Sequence, residues 1–203
     1  MSALWLAPAA LVLASQSKVR RALLETAGIP VEVRPATLDE RAVEARVPDA
    51  DPAAGAALLA REKALRVAAE LPGRLVVGAD QTLALGARRF SKPVDRAGAK
   101  AQLAALAGRT HALHSAVAVA RGADVLFAHV GIARLTMRPL SEAFLERYLD
   151  AAGPAVTASV GGYQLEALGI ELFETIDGDH FTILGLPLLP LLAYLRAEGS
   201  LAA

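Results

Sequence analysis

Short apolar runs alternate with stretches of helical period along this chain, and the alternation lays out most of the elements. Leu11-Val12-Leu13-Ala14 is an unbroken apolar run of the length of one buried strand. Ala22, Leu23, Leu24 and Ala27 follow at helical spacing up to Gly28, and Val31 to Arg34 alternates like a half-exposed strand before a loop that carries Asp39 and Glu40. Asp51-Pro52, a capping residue with proline at the first helical position, opens a helix to about Leu71. In it Leu58 and Leu65 share one side, Glu62 is placed to pair with Arg66, and Lys63 reads most simply as a surface lysine. Leu75 to Ala79 predicts a buried strand delivering Asp80 at its end, and Thr82 to Leu85, a Gly86-Ala87 turn and Arg88 to Ser91 predict a hairpin.

Further on, Asp95 caps a helix with Ala99, Leu103 and Leu106 inward, closed by Gly108. Thr110 to Ala120 and Val125 to Leu135 predict two long strands, and Ser141 caps a helix with Phe144, Leu145, Tyr148 and Leu149 on one stripe. Gly161-Gly162-Tyr163 marks a turn. Glu171 to Ile176 alternates as a strand, Phe181 to Leu184 is expected to pair back after Asp177-Gly178, and Leu188 to Glu198 forms the last helix. Helices alternating with strands and hairpins give an α/β or α+β class with a mixed sheet, a pattern that accommodates two lobes around a cleft. No repeat or low-complexity linker divides residues 1–203, so a single domain is expected.

Charge and composition narrow the function. Twenty-one Lys+Arg balance 21 Asp+Glu, so no global field favours nucleic acid or an anionic membrane, and any anion site must be local. Absence of cysteine excludes disulfides, thiol nucleophiles and cysteine-ligated zinc, and is compatible with a reducing cytoplasm. The apolar Ala3 to Ala14 segment could pass for a signal-peptide core, but no Lys or Arg precedes Lys18, and Pro8 and Ser15 break it well short of the ~20 residues of a membrane span. A soluble cytoplasmic protein is the expectation.

Two stretches carry candidate chemistry. Val76-Val77-Gly78-Ala79-Asp80 presents one carboxylate beyond a glycine that admits close approach of another backbone, although Asp80 could equally cap a turn. A strand, the hydroxyl-bearing turn Ser15-Gln16-Ser17 and a helix opening with Lys18 and Arg20 make a candidate anion site, lacking the glycines of a P-loop; the alternative is a plain N-cap with solvated arginines. Lys92-Pro93 places a cation at a fixed exit from the hairpin. His111, His114 and His129 lie on strands without the i,i+4 helical spacing of a zinc site, so a histidine metal site is not expected.

Taken in order, Leu13-Ala14-Ser15-Gln16-Ser17 with Arg20, Leu38-Asp39-Glu40, Arg61-Glu62-Lys63-Ala64, Gly78-Ala79-Asp80, Lys92-Pro93, Gly108-Arg109-Thr110-His111, Gly162-Tyr163 and Gly185-Leu186-Pro187-Leu188 resemble the Maf (septum-formation inhibitor-like) family. The match runs from about Leu11 to Leu195. The resemblance implies an α/β fold with an elongated mixed β-sheet flanked by helices, two lobes around a central cleft, and usually a homodimer. It implies a nucleoside triphosphate pyrophosphatase that hydrolyses the α–β phosphoanhydride with a divalent cation, Mg or Mn. On this resemblance Asp80 is the proton acceptor for the attacking water, Glu40 and Asp80 are the metal carboxylates, and Ser15, Arg20, Lys63 and Lys92 hold the phosphates.

Base recognition departs from the commonest family pattern. Members similar to the dTTP/UTP enzymes carry threonine after the aspartate, glutamine in the Gly-Tyr segment and a second arginine before Arg20, where this chain has Gln81, Glu166 and Val19. Gln81 and Glu166 match the subgroup acting on 7-methyl-GTP, whose tryptophan is replaced here by Val19, and Lys18 stands in place of the family's proline. A carboxylate can accept the two adjacent donors of guanine, N1–H and N2–H, while uracil and thymine offer one. The alternatives are a dTTP/UTP-type pyrophosphatase, and a nucleotide-binding regulator of septum formation whose hydrolysis is incidental.

Overall fold

The computed structural model describes residues 3–47 and 51–203. The chain builds one seven-stranded mixed sheet. Its strands are β1 (Leu11–Leu13), β2 (Val31–Val33), β3 (Val76–Leu85), β4 (Arg88–Phe90), β5 (Thr110–Arg121), β6 (Asp124–Met137) and β7 (Phe173–Asp177), ordered β2-β1-β3-β5-β6-β7 with β4 paired to β3. β2, β1 and β3 are parallel; every other pairing is antiparallel. The helices are α1 (Lys18–Thr26), α2 (Glu40–Glu44), α3 (Pro52–Glu70), α4 (Arg96–Leu106), α5 (Glu142–Ala152), α6 (His180–Ile183) and α7 (Leu188–Ala197).

Register creates a cleft. β3 pairs with β5 from Val76 to Ala84 but with β1 only at Val76 and Val77, because β1 ends at Leu13 and leaves for α1. From Ala79 onward that edge of β3 is open until β4 takes it up at Leu83. The apolar core divides at the same place. Val76, Val77 and Ala79 pack with β1, α1, α3 and α7, whereas Leu83 packs with Phe90, α4, α5 and Tyr163. Asp80 and Gln81 therefore sit on a continuous strand between two apolar bodies, which are the two lobes.

Most caps act where the sequence places them: Asp51, Asp95 and Ser141 accept from the backbone N–H of Ala54, Gly98 and Phe144 at 2.9, 2.7 and 3.2 Å. Three expectations change. Asp39 and Glu40 are not in a loop: Asp39 caps α2 by accepting from Ala42 N–H at 3.1 Å. Phe181 to Leu184 does not return as a strand, because Asp179 accepts from both Phe181 and Thr182 N–H at 3.0 Å and starts α6. The buried face of α3 is a stripe of small residues, Gly55, Ala56, Ala60, Ala64 and Ala68, with Leu59 and Val67. Glu62 bonds Arg46 at 3.0 Å while Arg66 reaches Glu70 at 3.6 Å, since the turn after α2 brings a competing arginine to Glu62. Among the described residues no helix is long and apolar enough to cross a membrane.

Candidate active site

Asp80 lies in the middle of β3, not at its end, and its position follows from strand period. Val76, Gly78 and Asp80 share the face covered by α3; Val77, Ala79 and Gln81 share the other. Gly78 lets α3 press directly on the strand: a Cβ there would stand 2.1 Å from Ala60 O and 2.6 Å from Ala64 N. That contact places Lys63, beside Ala64, over Asp80. The Lys63 ammonium donates to Asp80 Oδ1 at 2.7 Å and pairs with Glu40 Oε1 at 2.7 Å, with Lys63 and Asp80 side chains only 11% and 13% exposed and Glu40 55%. Lys63 is thus not a surface lysine; it is held between two carboxylates from two other elements.

On the opposite face, Arg20 is half-buried against the strand edge that β1 abandons. Its Nε donates to Gly185 O at 2.8 Å, and Nη1 donates to Ala79 O at 2.8 Å and to Ser15 Oγ at 3.2 Å. Burial pulls the guanidinium below its ordinary pKa, opposed by the fields of Asp80 and Glu40; arginine stays charged in any case. Ser15 Oγ also accepts from Ser17 N–H at 3.2 Å, which leaves its O–H free to donate into the cleft, while Ser17 is the residue that caps α1.

Gln81 has its amide nitrogen tied to Ser115 Oγ at 2.9 Å, Ile183 O at 2.9 Å and Thr182 O at 3.2 Å, so only its Oε1 is left to a ligand. Lys92 is exposed, with no hydrogen bond or ion pair among the described residues. Glu166 is exposed in the turn after Tyr163.

All eight residues nominated from the sequence, Ser15, Arg20, Glu40, Lys63, Asp80, Gln81, Lys92 and Glu166, line one cleft of about 1570 Å³. That exceeds the roughly 300–1,000 Å³ of an ordinary small-molecule pocket and has room for a nucleotide with its phosphates. Sequence reasoning gave no cleft role to Arg41, which enters because Asp39 makes α2 a helix, or to Arg89, brought in by the β3–β4 hairpin. Among the described residues six cations line the cleft against four carboxylates, although the whole chain has a net charge of +0. The anion attraction is local, as the charge balance requires.

A family model described as Maf-like protein matches residues 10–198. This chain belongs to the Maf-like family. Among curated Maf-like relatives, a protein of Rhodopseudomonas palustris (strain BisB5) is 62% identical over 96% of each chain, and one from strain BisB18 is 59% identical over 98% of each; both are named nucleoside triphosphate pyrophosphatase. A Rhizobium etli relative, 52% identical over 94% of this chain and 97% of its own, is named 7-methyl-GTP pyrophosphatase.

In this Maf-like chain His111 pairs with a tyrosine. It is buried at the start of β5 with Nε2 2.8 Å from the Tyr163 hydroxyl, and burial lowers its pKa from 6.5 to about 4. A histidine kept neutral in the fold but titrating near 6.5 when unfolded stabilises fully above that pH, and loses its contribution as pH falls from about 6.5 to about 4. His111→Gln can keep a bond to Tyr163 without titrating. Denaturant melts should therefore show a wild-type stability loss between pH 7 and 4 larger than the variant's by up to ~3 kcal/mol; parallel curves for the two proteins would refute the buried-neutral assignment.

Proposed function

We propose that the cleft binds a nucleoside triphosphate and hydrolyses its α–β phosphoanhydride, releasing the nucleoside monophosphate and diphosphate. The observation that carries this reading is the Glu40–Lys63–Asp80 chain, with both links at 2.7 Å, on the open edge of β3 inside a cation-lined cleft. It is supported by the names of relatives about 60% identical along nearly the whole chain. Arg20, Lys63 and Lys92 offset the phosphate charge, and the Ser15 hydroxyl donates to a phosphate oxygen. A water aligned with the leaving diphosphate loses a proton to Asp80 as its oxygen bonds to the α-phosphorus and the bridging P–O bond breaks. Lys63, already bonded to Asp80, is placed to follow the charge between carboxylate and phosphate.

Magnesium or manganese fits the donor set. Glu40 and Asp80 offer hard carboxylate oxygens, and among the described residues no group of three or more metal-binding side chains exists. This suits an ion held by two carboxylates together with substrate phosphates, not by an all-protein cage. When bound, such an ion supplies Lewis-acid polarisation of the phosphate and eases deprotonation of the attacking water, which a carboxylate alone does weakly at neutral pH.

On the lining of the same cleft, Glu166 is the base-reading carboxylate, matched to the two adjacent donors of a guanine such as 7-methylguanine. A homodimer in the cytoplasm completes the reading, and the cysteine-free composition is compatible with that compartment. Diphosphate release with magnesium or manganese across 7-methyl-GTP, GTP, dTTP, UTP and CTP tests it. One guanine triphosphate should dominate, with Glu166→Gln narrowing its lead over pyrimidines about tenfold. A pyrimidine preference would discard the Glu166 argument alone, and no turnover of any nucleotide would discard the enzyme reading.

A further inference from the structure

The cleft has two walls beyond Asp80. One is the exit from β4, Ser91 and Lys92; the other is the segment Ser159 to Glu166. Gln102, on α4 behind both, does not line the cleft, yet its side chain touches each wall. Its Nε2 donates to Ser91 O at 2.8 Å, and its Oε1 accepts from Gly161 N–H at 3.0 Å.

We propose that Gln102 is a positioning residue that fastens the base-side wall to Lys92, so that the seating of a base near Glu166 and the placement of the Lys92 cation are set together. The inference rests on the nucleotide reading above. An amide is the side-chain group that donates at one end and accepts at the other, and here its orientation is fixed by a carbonyl on one side and an N–H on the other.

The two walls differ in what else holds them. The base-side wall is anchored independently: Tyr163 meets His111 at 2.8 Å, Tyr148 donates to Gly162 O at 3.3 Å, and Gly162 lies against Ala99 and Leu103 of α4. Gly161 sits at φ +80°, a backbone conformation that a residue with a side chain rarely adopts. Ser91 and Lys92 are exposed beyond the last β3–β4 pair at Phe90, and among the described residues Gln102 makes the one hydrogen bond to them. Phe90 and Pro93 are buried on either side of this exit, and Gln102 adds the hydrogen bond that ties it to the firmer wall.

Two variants separate the ends of the link. Gln102→Leu removes both bonds; Gln102→Glu keeps an acceptor for Gly161 N–H but sets a carboxylate against Ser91 O. Steady-state diphosphate release is measured for the preferred nucleotide and a disfavoured one, beside thermal melts. For Gln102→Leu, kcat/KM on the preferred nucleotide should fall about tenfold or more, and the ratio between the two nucleotides should shrink toward one. For Gln102→Glu the ratio should hold while both nucleotides lose kcat/KM together, with a melting temperature near wild type. Unchanged kcat/KM and ratio in both variants would overturn the inference while leaving the enzyme reading intact. So would equal losses on both nucleotides in Gln102→Leu that track a lowered melting temperature, since that is a plain structural role. A wild type without turnover on any nucleotide would remove the parent reading and this inference with it.

Discussion

Asp80→Asn should lower kcat by about 10³-fold while leaving the fold and KM nearly unchanged, a loss within the range of a general base and equivalent to roughly 4 kcal/mol of barrier. Asparagine matches the shape of aspartate, so the strand and its pairing with Ala116 on β5 are undisturbed. What changes is the group facing the Lys63 ammonium at 2.7 Å: an acceptor that can take a proton becomes an amide that cannot. Lys63 keeps Glu40 at 2.7 Å, so the charge is not orphaned and the variant should melt within a few degrees of wild type. Diphosphate release and a thermal melt on the same preparation decide the matter. A variant with kcat within threefold of wild type would remove Asp80 from the role of base, and one that loses activity only in proportion to lost fold would make it a structural residue.

How much of this site could be read in advance depends on the kind of interaction that builds it. Asp95, Asp51 and Ser141 were legible because a cap acts on backbone three residues away. Asp80 was legible as special, but its mid-strand location was not, because the open edge is made by the early end of β1 at Leu13, which lies about sixty residues earlier in the chain. Lys63 looked like a surface residue since its partners come from α2 and β3. The buried face of α3 was faint in the sequence for a related reason: leucine spacing marks apolarity, whereas the sheet here selects for small size, and alanine carries little of that signal. Gln102 gave no sequence signal, because nothing in an amphipathic helix marks a polar residue whose two partners belong to distant loops. Asp80, Ser15, Arg20 and Lys92 could be singled out from local pattern, whereas Glu40, Lys63, Gln81 and Glu166 needed the resemblance to ordered motifs, because the cleft that joins them is tertiary.

The same close contact that places Lys63 makes Gly78→Ala a strongly damaging change despite its small size. The added Cβ would lie 2.1 Å from Ala60 O, 2.6 Å from Ala64 N and 3.0 Å from Ala64 Cβ. Two of these are backbone atoms of a nineteen-residue helix, so no rotamer change relieves them, and α3 must lift from β3. Overpacking of this kind costs about 3 kcal/mol or more, and at ~2–4 °C per kcal/mol for a chain of this size the melting temperature should drop by about 10 °C. Activity should fall further than stability accounts for, because a helix displaced by about 1 Å carries the Lys63 ammonium away from Asp80, and misplacement on that scale can cost ~10²-fold. Ala64→Gly in the same chain should not rescue it: removing that methyl leaves Ala60 O and Ala64 N where they are. Gly98→Ala is the matched control, since its nearest contact is the Asp95 side chain at 3.3 Å and its helical site gains up to ~1 kcal/mol of propensity. A Gly78→Ala protein that melts within 3 °C of wild type, or a double variant restored to full activity, would show that α3 and β3 can separate without cost, and that the Lys63–Asp80 pair does not depend on their contact.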